Sequence, residues 1–535
     1  MSTTLKTAKR GFRPVGKAVV AGAAGLALTL GLAACGSQST STSGGSKDTT
    51  SIQATLAFSL SSGFDPANAS SAVATDVNQH IFEGLLDLDP VTRQPYLALA
   101  KAEPVASKDG LSYTVQLRDG AKFSDGTAVT ADDVAYSFER ILKPADPAAP
   151  PLMQGFITFI KKVEAVDATT VKFTLNEKFP LFSSRISVVK IVPKTQVDTA
   201  DKATAFDTKP VGSGPFQLVS SSESEIKLKK NPNYNGSKTA KVETMTWNTN
   251  TDGSARIADL QAGRVQAIEA VPYLNVDSLK GKYTIADKQA FNQAFLMFNN
   301  SAAPFNDKRV RQALYYALDT DSIIKTALNG YGTAATSYLD EGNAGYQKAS
   351  TVYTYDTTKA KQLLADAGVT NLSFELDTTD NSIIKDIAPL LIEQWKAIGV
   401  NATLNTQPSS AIYGEVVPSS KFRVLLGSGD PSVFGTDTDL LMRWFYYGQT
   451  WPKDRMRWTD PDATKVSTLL DKAASTEDAT AQKALWKQAL DIVAEDVPLY
   501  PILHTKVVTA YDSSKLSGFD GVSTTGLYFL DTSRK

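Results

Sequence analysis

Residues 291–319 read FNQAFLMFNNSAAPFNDKRVRQALYYALD. The stretch 293–298 is a short apolar run with the length and aromatic content of a strand. From Asp307 to Leu318 the period changes. Val310, Leu314 and Ala317 fall on one helical face, so 307–318 reads as a helix. One strand followed by one helix is the repeating unit of α/β folds.

The rhythm continues downstream. Residues 357–367 read as a helix stopped by Gly368, and 372–376 as a strand. Residues 381–398 form a helix stopped by Gly399, and 400–404 and 422–426 are strands. Two helices, 463–473 and 477–494, precede the apolar run PLYPIL at 498–503. Upstream, strands are expected at 52–60, 112–118, 161–165, 170–175, 226–229, 242–247 and 265–270. Thr130 is a plausible N-cap for ADDVAYSFERIL, with Asp133 placed for a capping box. Residues 254–261 read as a helix ended by Gly263.

Composition limits what this chain can do. It has 535 residues, with 55 Lys plus Arg against 56 Asp plus Glu. A chain this long divides into at least two domains. The near-neutral balance argues against a basic nucleic-acid binder. There are two histidines, His80 and His504, and one cysteine, Cys35. Internal disulfides are impossible, and a metal site built from several His or Cys ligands is excluded. No phosphate-cradling glycine loop, G-x-S-x-G or H-E-x-x-H motif occurs. His504 sits in an apolar run and reads as a satisfied buried or edge histidine. No catalytic residue, metal or cofactor is expected.

The N-terminus has its own pattern. Lys6, Lys9, Arg10, Arg13 and Lys17 precede an uncharged Ala/Leu/Gly-rich run, 18–34. That is the basic and apolar sequence of a secretory signal. The following LAACG, 32–36, resembles a bacterial lipobox, in which the cysteine is lipidated. Cys35 is then the attachment point, residues 1–34 a signal peptide and residues 35–50 a polar, flexible tether. Removing the leader takes five positive charges and leaves 50 basic against 56 acidic residues, a net charge of -6.

A set of further motifs runs along the mature chain. They are LSYTVQLR (111–118), KFSDGTAVTADDVAYSF (122–138), PVGSGPF (210–216), NPNY (231–234), DLQAGRV (259–265), the opening stretch 291–319, WKAIG (395–399) and VPLY (497–500). Together, in this order, they resemble the extracellular solute-binding proteins of ABC importers that include dipeptide, oligopeptide and nickel binders. The resemblance implies an α/β, two-lobed fold of the periplasmic-binding-protein type. A ligand cleft would lie between the lobes, and the first lobe would be enlarged and discontinuous. Lobe 1 would span 51–290, with an inserted subdomain at about 81–205, and resume at 498–535. Lobe 2 would span 291–497, with hinge crossings near Gln289 to Asn292 and near Pro498.

The resemblance also implies a function. The chain would be a lipid-anchored receptor on the extracytoplasmic face of the cell membrane. It would capture an oligopeptide or peptide-like solute and deliver it to ABC permease subunits, with no enzymatic step and no nucleic-acid partner. A monomer is expected. Ligand contacts are expected from Ser61, Ser62, Gly63 and Phe64 in the first cleft loop, and from Phe295 and Met297 in the strand that opens lobe 2. Gly427, Ser428, Gly429, Asp430, Phe434, Trp444 and Tyr446 complete the expected set.

One departure matters. Peptide binders of the family hold the ligand amine with an aspartate three residues before a D-P pair. The pair here is Asp430-Pro431, which puts Gly427 at that position. Either Asp430, Asp437 or Asp439 takes over, or the cargo lacks a free amine. An oligosaccharide is the alternative cargo, since the aromatic run 440–447 with Trp451 and Trp458 could stack on sugars. An anchored hydrolase is a minor alternative, because acids are plentiful. A surface chaperone, adhesin or sensor would share the fold.

Overall fold

The computed structural model describes residues 49–147, 151–419 and 421–535. The leader, Cys35 and nearly all of the tether lie outside the described residues.

The fold is organised on one eleven-stranded sheet. Two long antiparallel strands, Thr284–Phe298 and Leu499–Tyr511, run through its middle. On one side lie Ala267–Ile268, Ser51–Leu56, Thr244–Thr249, Glu225–Lys230 and Phe216–Ser221, in that order. On the other lie Val424–Gly429, Ser373–Thr379 and Asn401–Gln407. Each side carries its own helices, and two main cores form, the second of which also takes in subdomain residues such as Phe138 and Phe182. Ile52, Phe82, Trp247 and Phe529 pack on the first side, and Phe298, Leu314, Trp395 and Tyr500 on the second. This is the expected α/β architecture with two lobes.

The long strands join the lobes at a break in pairing. Gln289 pairs with Lys506 and Gln293 with His504. Ala290, Phe291 and Asn292 therefore stand opposite Thr505 alone, a bulge that bends the ribbon. The bulge is tied down by Asn292 Nδ2 donating to Thr505 Oγ1 (2.9 Å) and by His504 Nδ1 on the Phe291 carbonyl (2.8 Å). Pro498 lies just before the second long strand, and the pairing break is further along, at Thr505.

An antiparallel sheet branches from the first side. Its order is Val105–Ala106, Ser112–Gln116, Thr170–Leu175, Ile160–Ala165. The helix Ala131–Leu142 packs Phe138 edge-on against Phe173 at 5.0 Å. Its N-terminus carries the expected capping box: Asp133 N–H donates to Thr130 Oγ1, and Thr130 N–H donates to the Asp133 carboxylate. Gly368 and Gly399 end their helices at φ +70 and +79, a conformation that other residues adopt only with strain.

Several elements differ from the sequence reading. The strand expected at 293–298 begins at Thr284. Its first half, TIADKQAFN, lacks apolar alternation because its pairing with the second long strand, not a one-sided core, holds it. The strand expected at 265–270 shortens to Ala267–Ile268 and ends before Ala270, which has φ +49. The structure adds the helices Ala72–Ile81, Ala200–Thr208 and Thr320–Leu328.

Candidate functional site

The lobes meet along a polar seam beside the hinge. From lobe 2, the strand Val424–Gly429 ends at Asp430, whose carboxylate caps the short turn Pro431–Val433. One Asp430 oxygen accepts from Ser432 N–H (3.0 Å) and Oγ–H (2.5 Å). The other is buried with no hydrogen-bond partner. Burial pushes this carboxyl up to about 6, and its hydrogen bonds from Ser432 and the nearby Arg93 only partly offset that.

Arg93 comes from lobe 1 and takes φ +59 at the end of a turn. Its guanidinium donates to the Ser432 carbonyl across the interface, and its Nε is buried without a partner. Tyr528, Asp430 and Asp89 are the acidic groups that surround it. Arg93 and Asp430 are thus close and opposite in charge, yet not bonded to each other.

The seam continues into the hinge. Gln293 pairs with Gly429 on one side and His504 on the other. Its side chain is fully buried, and neither amide atom is hydrogen-bonded. His504 has Nδ1 on the Phe291 carbonyl, and its Nε2 faces the Ser337 backbone without a well-formed hydrogen bond. Burial lowers its pKa, so the ring is neutral despite the nearby Asp340. Buried polar groups are nearly always satisfied. Four such groups converging where the lobes meet mark this seam as the candidate binding site.

Within this structure the lobes are shut. A cavity of about 50 Å³ remains between them, lined by Thr75, Asn78, Met153, Lys190, Val433 and Phe434. That is room for a water or two, so a solute enters only when the lobes part. A larger groove of about 680 Å³ follows the outer strand Phe216–Ser221 and is not between the lobes.

The expected site residues divide into three groups. Gly427, Ser428, Gly429 and Asp430 lead into the seam. Phe434 and Trp444 sit on the lobe interface, both 5.7 Å from the ring of Phe156 in the branching subdomain. The others are held by contacts of their own. Ser61, Ser62, Gly63 and Phe64 form a loop held to the helix Ala200–Thr208, with Phe64 N–H donating to the Asp207 carbonyl at 2.9 Å. Phe64 is in the lobe 1 core and Met297 in the lobe 2 core, and Tyr446 donates its hydroxyl to the Leu499 carbonyl (2.7 Å).

Phe295 has a particular role. A Cβ placed on Gly427 would lie 3.0 Å from its Cζ and 3.3 Å from the Tyr413 hydroxyl. Its ring also packs edge-on against Phe445 (5.7 Å) and Trp451 (6.5 Å). A side chain at 427 would crowd the Phe295 ring and the Tyr413 hydroxyl. Of the three alternative acids, Asp437 and Asp439 are both bonded to Arg185, at 2.8 and 2.9 Å. Asp430 alone is bonded to no cation.

Sequence reasoning missed Arg93, Gln293 and Asp340. The one visible signal was Gln293, a polar residue inside an apolar strand. Among the described residues, no group of three or more His, Cys, Asp or Glu is placed to hold a metal ion, and no helix is long and apolar enough to cross a membrane.

Comparison with known proteins fits this geometry. The glutathione-binding protein GsiB of Shigella flexneri is 29% identical over 478 residues, covering 87% of this chain and 91% of GsiB. A dipeptide-binding protein from Pseudoalteromonas sp. SM9913, solved with Met-Leu, superposes with a TM-score of 0.79 at 21% identity, covering 91% of this chain and 100% of that one. NikZ from Campylobacter jejuni, solved with Ni(L-His), gives a TM-score of 0.77 at 25% identity over 90% and 99% of the two chains. The family model for bacterial extracellular solute-binding proteins, family 5 (middle), matches residues 94–453. Two lobes on a shared hinge ribbon, shut over unsatisfied polar groups, therefore belong to a member of that family, an extracytoplasmic binding protein that does no chemistry on its solute.

Proposed function

We propose that this protein captures a peptide-like solute with a free amino group between its lobes and delivers it to an ABC importer. The carrying observation is the Asp430–Arg93 seam. A buried carboxylate with one unpartnered oxygen faces a guanidinium from the other lobe. A zwitterionic ligand complements both: its ammonium goes to Asp430, and a carboxylate or carbonyl goes to Arg93. Each lobe then holds one end, so binding favours closure. Relatives that carry glutathione or a dipeptide support this class of cargo.

The amine partner is Asp430 rather than a residue at 427, where a Cβ would already crowd the Phe295 ring. The ligand-contact set proposed is Gly427, Ser428, Gly429, Asp430, Phe434 and Trp444, joined by Arg93 and Gln293. The lobes are taken as 51–290 with the chain from about 505 onward, and 291 to about 504, the second crossing lying at the Thr505 pairing break rather than at Pro498. Lipidation at Cys35 would hold the receptor at the membrane, with the polar stretch after it as a tether.

Native mass spectrometry of the purified protein identifies any carried solute. Calorimetry then compares di- to pentapeptides, glutathione included, with their N-acetylated forms. The expected result is binding that weakens at least tenfold on acetylation. Equal affinity for both forms would exclude the free-amine reading and favour a neutral cargo.

A further inference from the structure

A second arginine crosses between the lobes, and it shares no residue with the seam. Arg185 ends the short helix Phe182–Arg185 of the branching subdomain and is 1% exposed. Its Nη2 donates to Asp437 (2.8 Å) and to Asp439 (2.9 Å) of lobe 2. Its Nη1 donates to the Phe156 carbonyl (3.3 Å), and the Phe179 ring lies 5.3 Å from its guanidinium. Beside it, the Phe156 ring lies against Phe434 and Trp444.

The lobe 2 half of this contact is built independently of Arg185. Asp437 N-caps the helix Thr438–Tyr446 by accepting from Leu440 N–H (2.9 Å). Asp439 is held by Arg443 (2.8 Å), which also reaches Asp471 (2.9 Å). Both aspartates have lobe 2 partners of their own, so they form a socket for which Arg185 is the plug. Bringing these charges out of water is costly, and the cost is offset because one cation meets two carboxylates and a carbonyl. The fit is incomplete: Arg185 Nε and one Asp439 oxygen remain buried without partners. An imperfect buried contact can close and reopen.

We infer that Arg185 is a positioning residue for solute capture: it latches the lobes shut without touching the solute, so the ligand-free protein already samples the closed form. Every charge that the latch brings together comes from the protein, so closure needs no ligand there. The latch thereby sets the open–closed balance from which any solute binds. The exposed pair Lys178–Glu477 also joins the subdomain to lobe 2, but solvent screens it and it adds little.

The test is small-angle X-ray scattering on the full-length protein, stripped of endogenous solute by unfolding and refolding, with no ligand added. Wild type should scatter as a mixture dominated by the closed form. Arg185→Met should lose the closed component and show a larger radius of gyration, while still melting cooperatively. Asp437→Asn is the second variant. Asparagine caps a helix as well as aspartate, so this change removes charge and keeps the fold. It should lower the closed-to-open ratio at least about tenfold, on the order expected for a hydrogen bond to a charged group. A ligand-free wild type that is wholly open, or a folded Asp437→Asn protein with wild-type scattering, would overturn the inference. A misfolded Arg185→Met protein leaves Asp437→Asn to decide it. None of these readouts involves the cargo, so they stand apart from the peptide reading.

Discussion

Two arginines of lobe 1 meet aspartates of lobe 2 within ten residues of chain, and they do so in opposite ways. Arg185 is bonded to Asp437 and Asp439. Arg93 stands near Asp430 but donates to a carbonyl instead, leaving a carboxylate oxygen bare. The charge of Arg185 is balanced by two carboxylates of the protein, although its Nε and one Asp439 oxygen stay unpartnered, so it holds without a ligand. The unpaired set is incomplete, and an incomplete buried charge is tolerated where a ligand completes it. The comparison separates closing from recognising.

The largest expected break between the two regions is in pH dependence. Asp430 titrates near 6, raised by burial, so below that pH it is protonated and neutral. A ligand ammonium needs the ionised form. Affinity for a free-amine peptide should therefore be full above about pH 7 and fall roughly tenfold for each unit below pH 6. The N-acetylated peptide should show a flat profile in the same calorimetric series. If both profiles fall together, the acid dependence arises elsewhere than at Asp430.

A smaller effect sharpens the choice of acid. Gly427→Asp introduces the residue type that the resemblance expects at this position, but its Cβ meets the Phe295 ring at 3.0 Å. The change should destabilise the protein by about 1–3 kcal/mol through overpacking and should not raise affinity for free-amine peptides. Thermal melting and calorimetry read the two effects separately. A tighter-binding, equally stable variant would show that Phe295 leaves room for a side chain at 427.

Much of the fold was legible because its signals are local. The capping box at Thr130 and Asp133, and the stops at Gly368 and Gly399, follow from short-range chemistry, and the structure carries all of them. The first half of the strand Thr284–Phe298 was not legible, since its reason is a partner more than 200 residues away. The site was read in part for the same cause. The D-P pair at Asp430 and the aromatic residues Phe434 and Trp444 stand out in sequence. Arg93 and Asp340 do not, because their meaning comes from what the fold brings beside them. The cleft loop 61–64 had the right composition for a site, yet Asp207 and Arg140 tie it and its neighbour Asp65 to lobe 1.

The central claim is that Asp430 carries recognition of the ligand amine, and a double-mutant cycle tests it most directly. Calorimetry would compare wild type and Asp430→Asn, each with a free-amine peptide and its N-acetyl form. Asparagine keeps the cap on the Pro431–Val433 turn and removes the charge. The expected result is a loss of about a hundredfold for the free-amine peptide, within the range for breaking a buried charge pair, and little change for the acetylated one. Equal losses for both peptides would contradict it.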